Sequence, residues 1–140
     1  MIQTELFKRL GSEIPVIQTA MGWVATPQLV AASTQAGAFG FLALATSSKD
    51  EAIASIDETL RLTDKPFGVN LHMFQPGAAE IIDYVIKHQI RAISYSRSPV
   101  PEYISKLKAA GVLCIPTVGE VKHAIKAESL GADALVIQGS

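Results

Sequence analysis

Short apolar runs rich in β-branched and aromatic residues alternate along the chain with longer segments whose apolar positions recur at helical spacing. The runs Pro15–Ala20, Phe39–Leu44, Phe67–Met73, Ala92–Ser96, Leu113–Thr117 and Ala134–Gln138 predict six strands. They start roughly every 20 to 28 residues, the room that one strand, one helix and two short loops require. The intervening segments predict helices over Pro27–Ala36, Lys49–Leu62, Ala78–Lys87, Pro101–Ala110 and Glu120–Leu130, with a helical turn at Glu5–Leu10 ahead of the first strand. Such alternation is the mark of parallel strands joined by crossover helices.

The boundaries carry their own signals. Thr26 before Pro27 is an N-cap followed by proline at the first helical position, and Ser48 precedes Asp50 and Glu51, acids that favour a helix N-terminus. Gln35-Ala36-Gly37, Ala109-Ala110-Gly111 and Ser129-Leu130-Gly131 each place glycine just past a helix and just before a strand, where the left-handed C′ conformation excludes most side chains. The repetition predicts stacked β/α units, arranged as an open doubly wound sheet or as a closed barrel.

Strand polarity chooses between these two. In Phe67–Met73 the apolar side chains share one face, while Gly68, Asn70 and His72 share the other. Central strands of an open parallel sheet are apolar on both faces, whereas a barrel interior turns polar near its C-terminal mouth. The expected fold is therefore α/β of the (β/α)8 TIM-barrel type. A full barrel needs about 250 residues, so residues 1–140 are expected to hold about the first six β/α units as a single, incomplete domain.

Composition narrows the function classes. With 49% hydrophobic and 18% charged residues among 140, the chain has enough apolar surface for a core. Its formal net charge of −1, with both signs interspersed, argues against a nucleic-acid partner. No apolar stretch approaches the roughly 20 residues of a membrane span, and the start has no secretory pattern. The lone Cys114 permits no internal disulfide, so a reducing cytoplasmic setting is expected.

Zinc-type spacings, a Walker loop and a Gly-x-Ser-x-Gly elbow are absent, and the turn after the first strand lacks a Gly-x-Gly-x-x-Gly fingerprint. No metal site is expected. Candidates lie at the C-terminal strand ends, where successive loops converge. Met21, Gly22 and Trp23 offer close backbone approach and polarizable surface to a flat ligand, although the same residues suit a plain turn. Asn70 donates and accepts, which fits the amide-like edge of a ring or a structural bond to backbone. Gln138 and Gly139 repeat the amide-and-glycine pattern at the last strand end. His72 reads first as structural, Cys114 as a buried small hydrophobe, and His88 and His123 as solvated residues.

These blocks together carry a resemblance. Ile14–Gly22 followed by Thr26-Pro27-Gln28-Leu29-Val30, then Gln35–Leu42, Pro66–Leu71 and Gly131–Gly139, resemble in order the strand regions of the nitronate monooxygenase family, once called 2-nitropropane dioxygenases. Flavin-dependent enoyl-ACP reductases look similar over the same blocks. The resemblance implies an FMN-binding barrel that oxidises alkyl nitronates with dioxygen, without a metal, to a carbonyl compound and nitrite. It implies that Met21 and Gly22 line the flavin, that Asn70 bonds to it, and that Gln138 and Gly139 approach its ribityl or phosphate region. It puts the family's catalytic histidine after Ser140, so this chain by itself is expected to hold no catalytic residue. Thr117 stands where some members carry lysine, and an enoyl-ACP reductase or NAD(P)H oxidoreductase is the alternative activity. A non-catalytic partial barrel that pairs its open edges in a homo-oligomer is an alternative of another class.

Overall fold

A computed structural model describes residues 2–96 and 98–139. Helix α1 (Glu5–Leu10) precedes strand β1 (Ile17–Gln18), and the order continues as α2 (Pro27–Gln35), β2 (Phe39–Ala43), α3 (Lys49–Leu62) and β3 (Gly68–Leu71). There follow α4 (Ala78–Lys87), β4 (Ala92–Tyr95), α5 (Pro101–Ala109), β5 (Leu113–Cys114), β6 (Thr117–Val118), α6 (Val121–Ser129) and β7 (Val136–Ile137). Strands β1 to β5 pair in sequence order and β6 pairs with β7, every pair parallel.

The helices form where their termini are satisfied. Thr26 accepts from the Leu29 N–H, and Ser48 and Glu51 close a reciprocal capping box at the start of α3. Gly37, Gly111 and Gly131 all take the expected left-handed conformation, with φ of 93°, 80° and 87°.

The strands depart more from expectation. The run Leu113–Thr117 is two short strands, because Pro116 has no N–H to donate and bends the chain. Before the bend Leu113 and Cys114 pair with β4, and after it Thr117 and Val118 pair with β7. The first and last strands shrink to Ile17–Gln18 and Val136–Ile137, since each has a ladder partner on one side among the described residues.

Side chains alternate between two apolar layers. One layer packs Leu42, Val69, Leu71 and Ile93 beneath the helices, against Ile56, Ile81, Ile82 and Leu107. The other lies inside the curled sheet, where Phe39, Phe41, Ala92, Leu113 and Ile115 meet Leu10 of α1. Phe39 and Phe41 sit edge to face with centroids 5.2 Å apart. Helix α1 thereby closes the N-terminal end, and Asp133 fastens it: the carboxylate accepts from Arg9 at 2.8 Å, from Lys108 at 3.2 Å and from the Cys114 N–H at 2.9 Å. The opposite, C-terminal end stays open. No helix among the described residues is long and apolar enough to cross a membrane.

Candidate active site

Inward-facing residues above the Phe41 layer end the inner core and begin a cavity of about 360 Å³. Ile17, Ala20, Met21, Phe41 and Val136 give it apolar walls, and Thr19, Asn70, Ser94, Thr117 and Gln138 give it polar ones. Residues of the first and last strands line it together with the middle of the sheet, which only a strongly curled sheet permits.

Asn70 stands on β3 directly opposite Ser94 of β4. Its Nδ2 donates to the Ser94 carbonyl at 3.3 Å, so the amide is oriented while its Oδ1 has no partner among the described residues. Below it Gly68 has no room for a side chain, since a Cβ there would meet the Phe41 ring at 2.5 Å and the Ala92 carbonyl at 3.0 Å. Gln138 is exposed at the mouth, its backbone N–H held by the Val118 carbonyl at 3.0 Å.

The cavity thus brings together Met21, Asn70 and Gln138, but not all the candidates. Gly139 lines an adjoining cavity of about 520 Å³ with Ser96, Thr117 and Gln138. Gly22, at φ 38°, lies in the β1–α2 loop with nothing within 4 Å of a Cβ position. Trp23 on that loop is 91% exposed. Ser94 and Thr117 escaped the sequence reading as site residues; their alternation with buried Ile93 and Val118 was the available signal.

His72 is not among the lining residues. Its backbone N–H donates to Gln75 Oε1 at 2.9 Å, while Gln75 Nε2 donates to the Leu44 carbonyl at 3.0 Å, tying the ends of two strands together. The His72 Nδ1 is buried without a partner among the described residues. His88, expected in solvent, is half-buried because α4 stacks it on Tyr84 at 4.2 Å. Cys114 is fully buried, and burial pushes its thiol up to about 11, so it is not a nucleophile at neutral pH. Among the described residues no three metal-ligating side chains gather.

Among the described residues, no histidine or carboxylate lines the cavity. What it offers is a slot with apolar walls, a fixed amide and an open acceptor, the environment that suits a flat, amphipathic ring.

A curled sheet of parallel β/α units with its polar groups gathered at the C-terminal mouth has the TIM-barrel type of architecture, and comparison with known proteins narrows the class further. The nitronate monooxygenase family model matches residues 3–97 and 80–140, and the chain belongs to that family. It is 47% identical over 99% of its length to the (3aS,4S,5R,7aS)-5-hydroxy-7a-methyl-1-oxo-octahydro-1H-indene-4-carboxyl-CoA dehydrogenase of Rhodococcus jostii, of which it covers 39%. It is 28% identical over 97% of its length to a nitronate monooxygenase of Pseudomonas aeruginosa, of which it covers 50%. A single-substitution mutant of FabK from Thermotoga maritima superimposes on 97% of the chain with a TM-score of 0.91 at 31% identity, and 46% of that mutant's chain is covered. The chain therefore spans half or less of the length of these relatives.

Proposed function

We propose that this chain forms the N-terminal part of an FMN-dependent oxidoreductase that acts on an acyl thioester. The observation that carries the reading is the single cavity shared by Met21, Asn70 and Gln138, residues from three separate β/α units. FMN would supply two-electron redox chemistry that no side chain here provides. Met21 and Phe41 would cover the ring, the free Asn70 Oδ1 would accept from its N–H edge, and Gln138 with Gly139 would meet the ribityl side. Gly22 would let the loop approach closely. The proton-transferring group would come from outside the residues described as lining the cavity.

The thioester is preferred over a nitronate because identity to the CoA dehydrogenase is 47%, against 28% to the nitronate monooxygenase. Nitronate oxidation with dioxygen is the second reading, favoured by the family match itself. Protein expressed from the whole reading frame should carry a visible flavin band. Anaerobic bleaching of that band by a cyclic acyl-CoA, and not by an alkyl nitronate, is expected. Bleaching by the nitronate alone would reverse the choice, and a colourless protein that takes up no FMN would end both readings.

A further inference from the structure

The half of the mouth built by the first three β/α units carries no acidic or strongly basic side chain. No Asp, Glu, Lys or Arg occurs from Ile14 to Ser48 or from Gly68 to Ala79, in a chain with 18% charged residues. These stretches hold all three loops that follow β1, β2 and β3. Past β6, by contrast, Glu120 and Lys122 stand as an ion pair.

The same loops expose large apolar side chains instead. Trp23 is 91% exposed, Phe74 73% and Met21 56%. Backbone bonds fix where they stand. The Val24 N–H donates to the Met21 carbonyl at 2.8 Å, closing a turn around Trp23, and the Ala25 carbonyl accepts from Ala43 at 3.2 Å. On the other side Gln75, the neighbour of Phe74, donates to the carbonyls of Leu44 and Ser47 at 3.0 and 3.3 Å. Trp23 and Phe74 thus flank the end of β2, held through the consecutive residues Ala43 and Leu44. Adjacent strands lie about 4.8 Å apart, so the loops after β1 and β3 start about 10 Å from each other.

Apolar surface left in water is unfavourable, and apolar side chains gathered beside a cavity mark a contact surface. Met21 joins this rim to the Asn70 cavity, because it lines that cavity and belongs to the same turn as Trp23. At about 360 Å³ the cavity is at the low end of the about 300–1,000 Å³ usual for ligand sites. With a flavin ring seated there, a substrate would lie outward of it, against the rim.

We propose that Trp23 and Phe74 form an apolar clamp that receives the acyl group of the substrate thioester and selects aliphatic or alicyclic groups longer than acetyl. The inference rests on the thioester reading, and the measurements below separate the two.

S-alkyl coenzyme A thioethers lack the reactive carbonyl and report binding without turnover. In calorimetric titrations of the whole-reading-frame flavoprotein, S-hexyl coenzyme A should bind about tenfold tighter than S-ethyl coenzyme A, since part of each added methylene is buried. Trp23→Ser and Phe74→Ser should each cut that ratio to about threefold, while Ile125→Ser, at an exposed apolar position of α6, should leave it unchanged. Urea midpoints of both rim variants should match the parent, because neither side chain is in the core. A chain-length ratio that neither variant moves would overturn the inference even if thioesters bleach the flavin. An unmoved ratio with a core-sized loss of stability would give the rim to other residues of the same polypeptide, and one with binding to phosphatidylcholine vesicles that both variants abolish would give it to a lipid surface; either ends the clamp. If neither thioether binds and no thioester bleaches the flavin, the thioester reading fails. The clamp would then stand only if the nitronate of nitrohexane bleaches at lower concentration than that of nitroethane and loses this advantage in both variants.

Discussion

The wall formed by β2, β3 and β4 differs sharply from the segment β6–α6–β7. In the wall, Leu42, Val69, Leu71 and Ile93 are sealed beneath helices. In the terminal segment each strand has two residues, Ala127 is the one buried residue of α6, and Val121, Ile125 and Ile137 are 77%, 62% and 81% exposed. Both regions repeat the same strand-and-helix pattern. What separates them is neighbours: a β/α unit buries its apolar stripe only when units flank it on both sides. Gln138 and Gly139, at the ribityl side of the proposed flavin site, follow the sparsely covered segment, where side chains are not committed to the core.

Substitutions should expose that contrast in graded fashion. Ile93→Ala removes a fully buried side chain from the wall and should cost about 2–5 kcal/mol in urea unfolding. Overpacking comes next: Gly68→Ala would press a Cβ on the Phe41 ring and should cost about 1–3 kcal/mol. A smaller loss of about 1–2 kcal/mol is expected for Asp133→Asn, which discharges the fastening between α1 and the strand ends.

Asp133 also gives that fastening a pH signature. Burial raises its carboxyl, but the bonds from Cys114, Arg9 and Lys108 outweigh this and hold it below the usual carboxylate range. A lowered folded value means that its stabilisation is complete above an unfolded pKa of about 4 and is lost as pH falls through the folded one. Asp133→Asn should therefore flatten part of the acid limb of the stability profile, as read by denaturant midpoints at stepped pH.

At the mouth, Asn70→Ala should leave unfolding within about 1 kcal/mol of the parent while weakening FMN uptake about tenfold by fluorescence titration. Undiminished FMN affinity would remove Asn70 from the site. The smallest effect belongs to Ile125→Ser, expected within about 0.5 kcal/mol of the parent. A loss near that of Ile93→Ala would mean that α6 is covered in solution.

The legibility of the sequence follows the same division. Helix ends were readable because Thr26, Ser48 and the glycines at 37, 111 and 131 act through local backbone geometry. Alternation along Phe67–Met73 placed Asn70 inside and Val69 outside, as found. Strand ends were not readable, because Ile115-Pro116 looks like uninterrupted strand until one asks which neighbour each half pairs with. The unpaired hydroxyl of Tyr95 was hidden as well. Tyr95 reads as an ordinary core aromatic, and only the folded packing shows that its buried hydroxyl has no partner among the described residues.

The buried thiol has a practical corollary. Since Cys114 is the sole cysteine and lies fully covered with its titration pushed to about 11, alkylating reagents should modify it only during excursions that lift the layer above it. The molecule carries its own stopwatch for those openings, and the rate at which a thiol probe is consumed would time them without any added label.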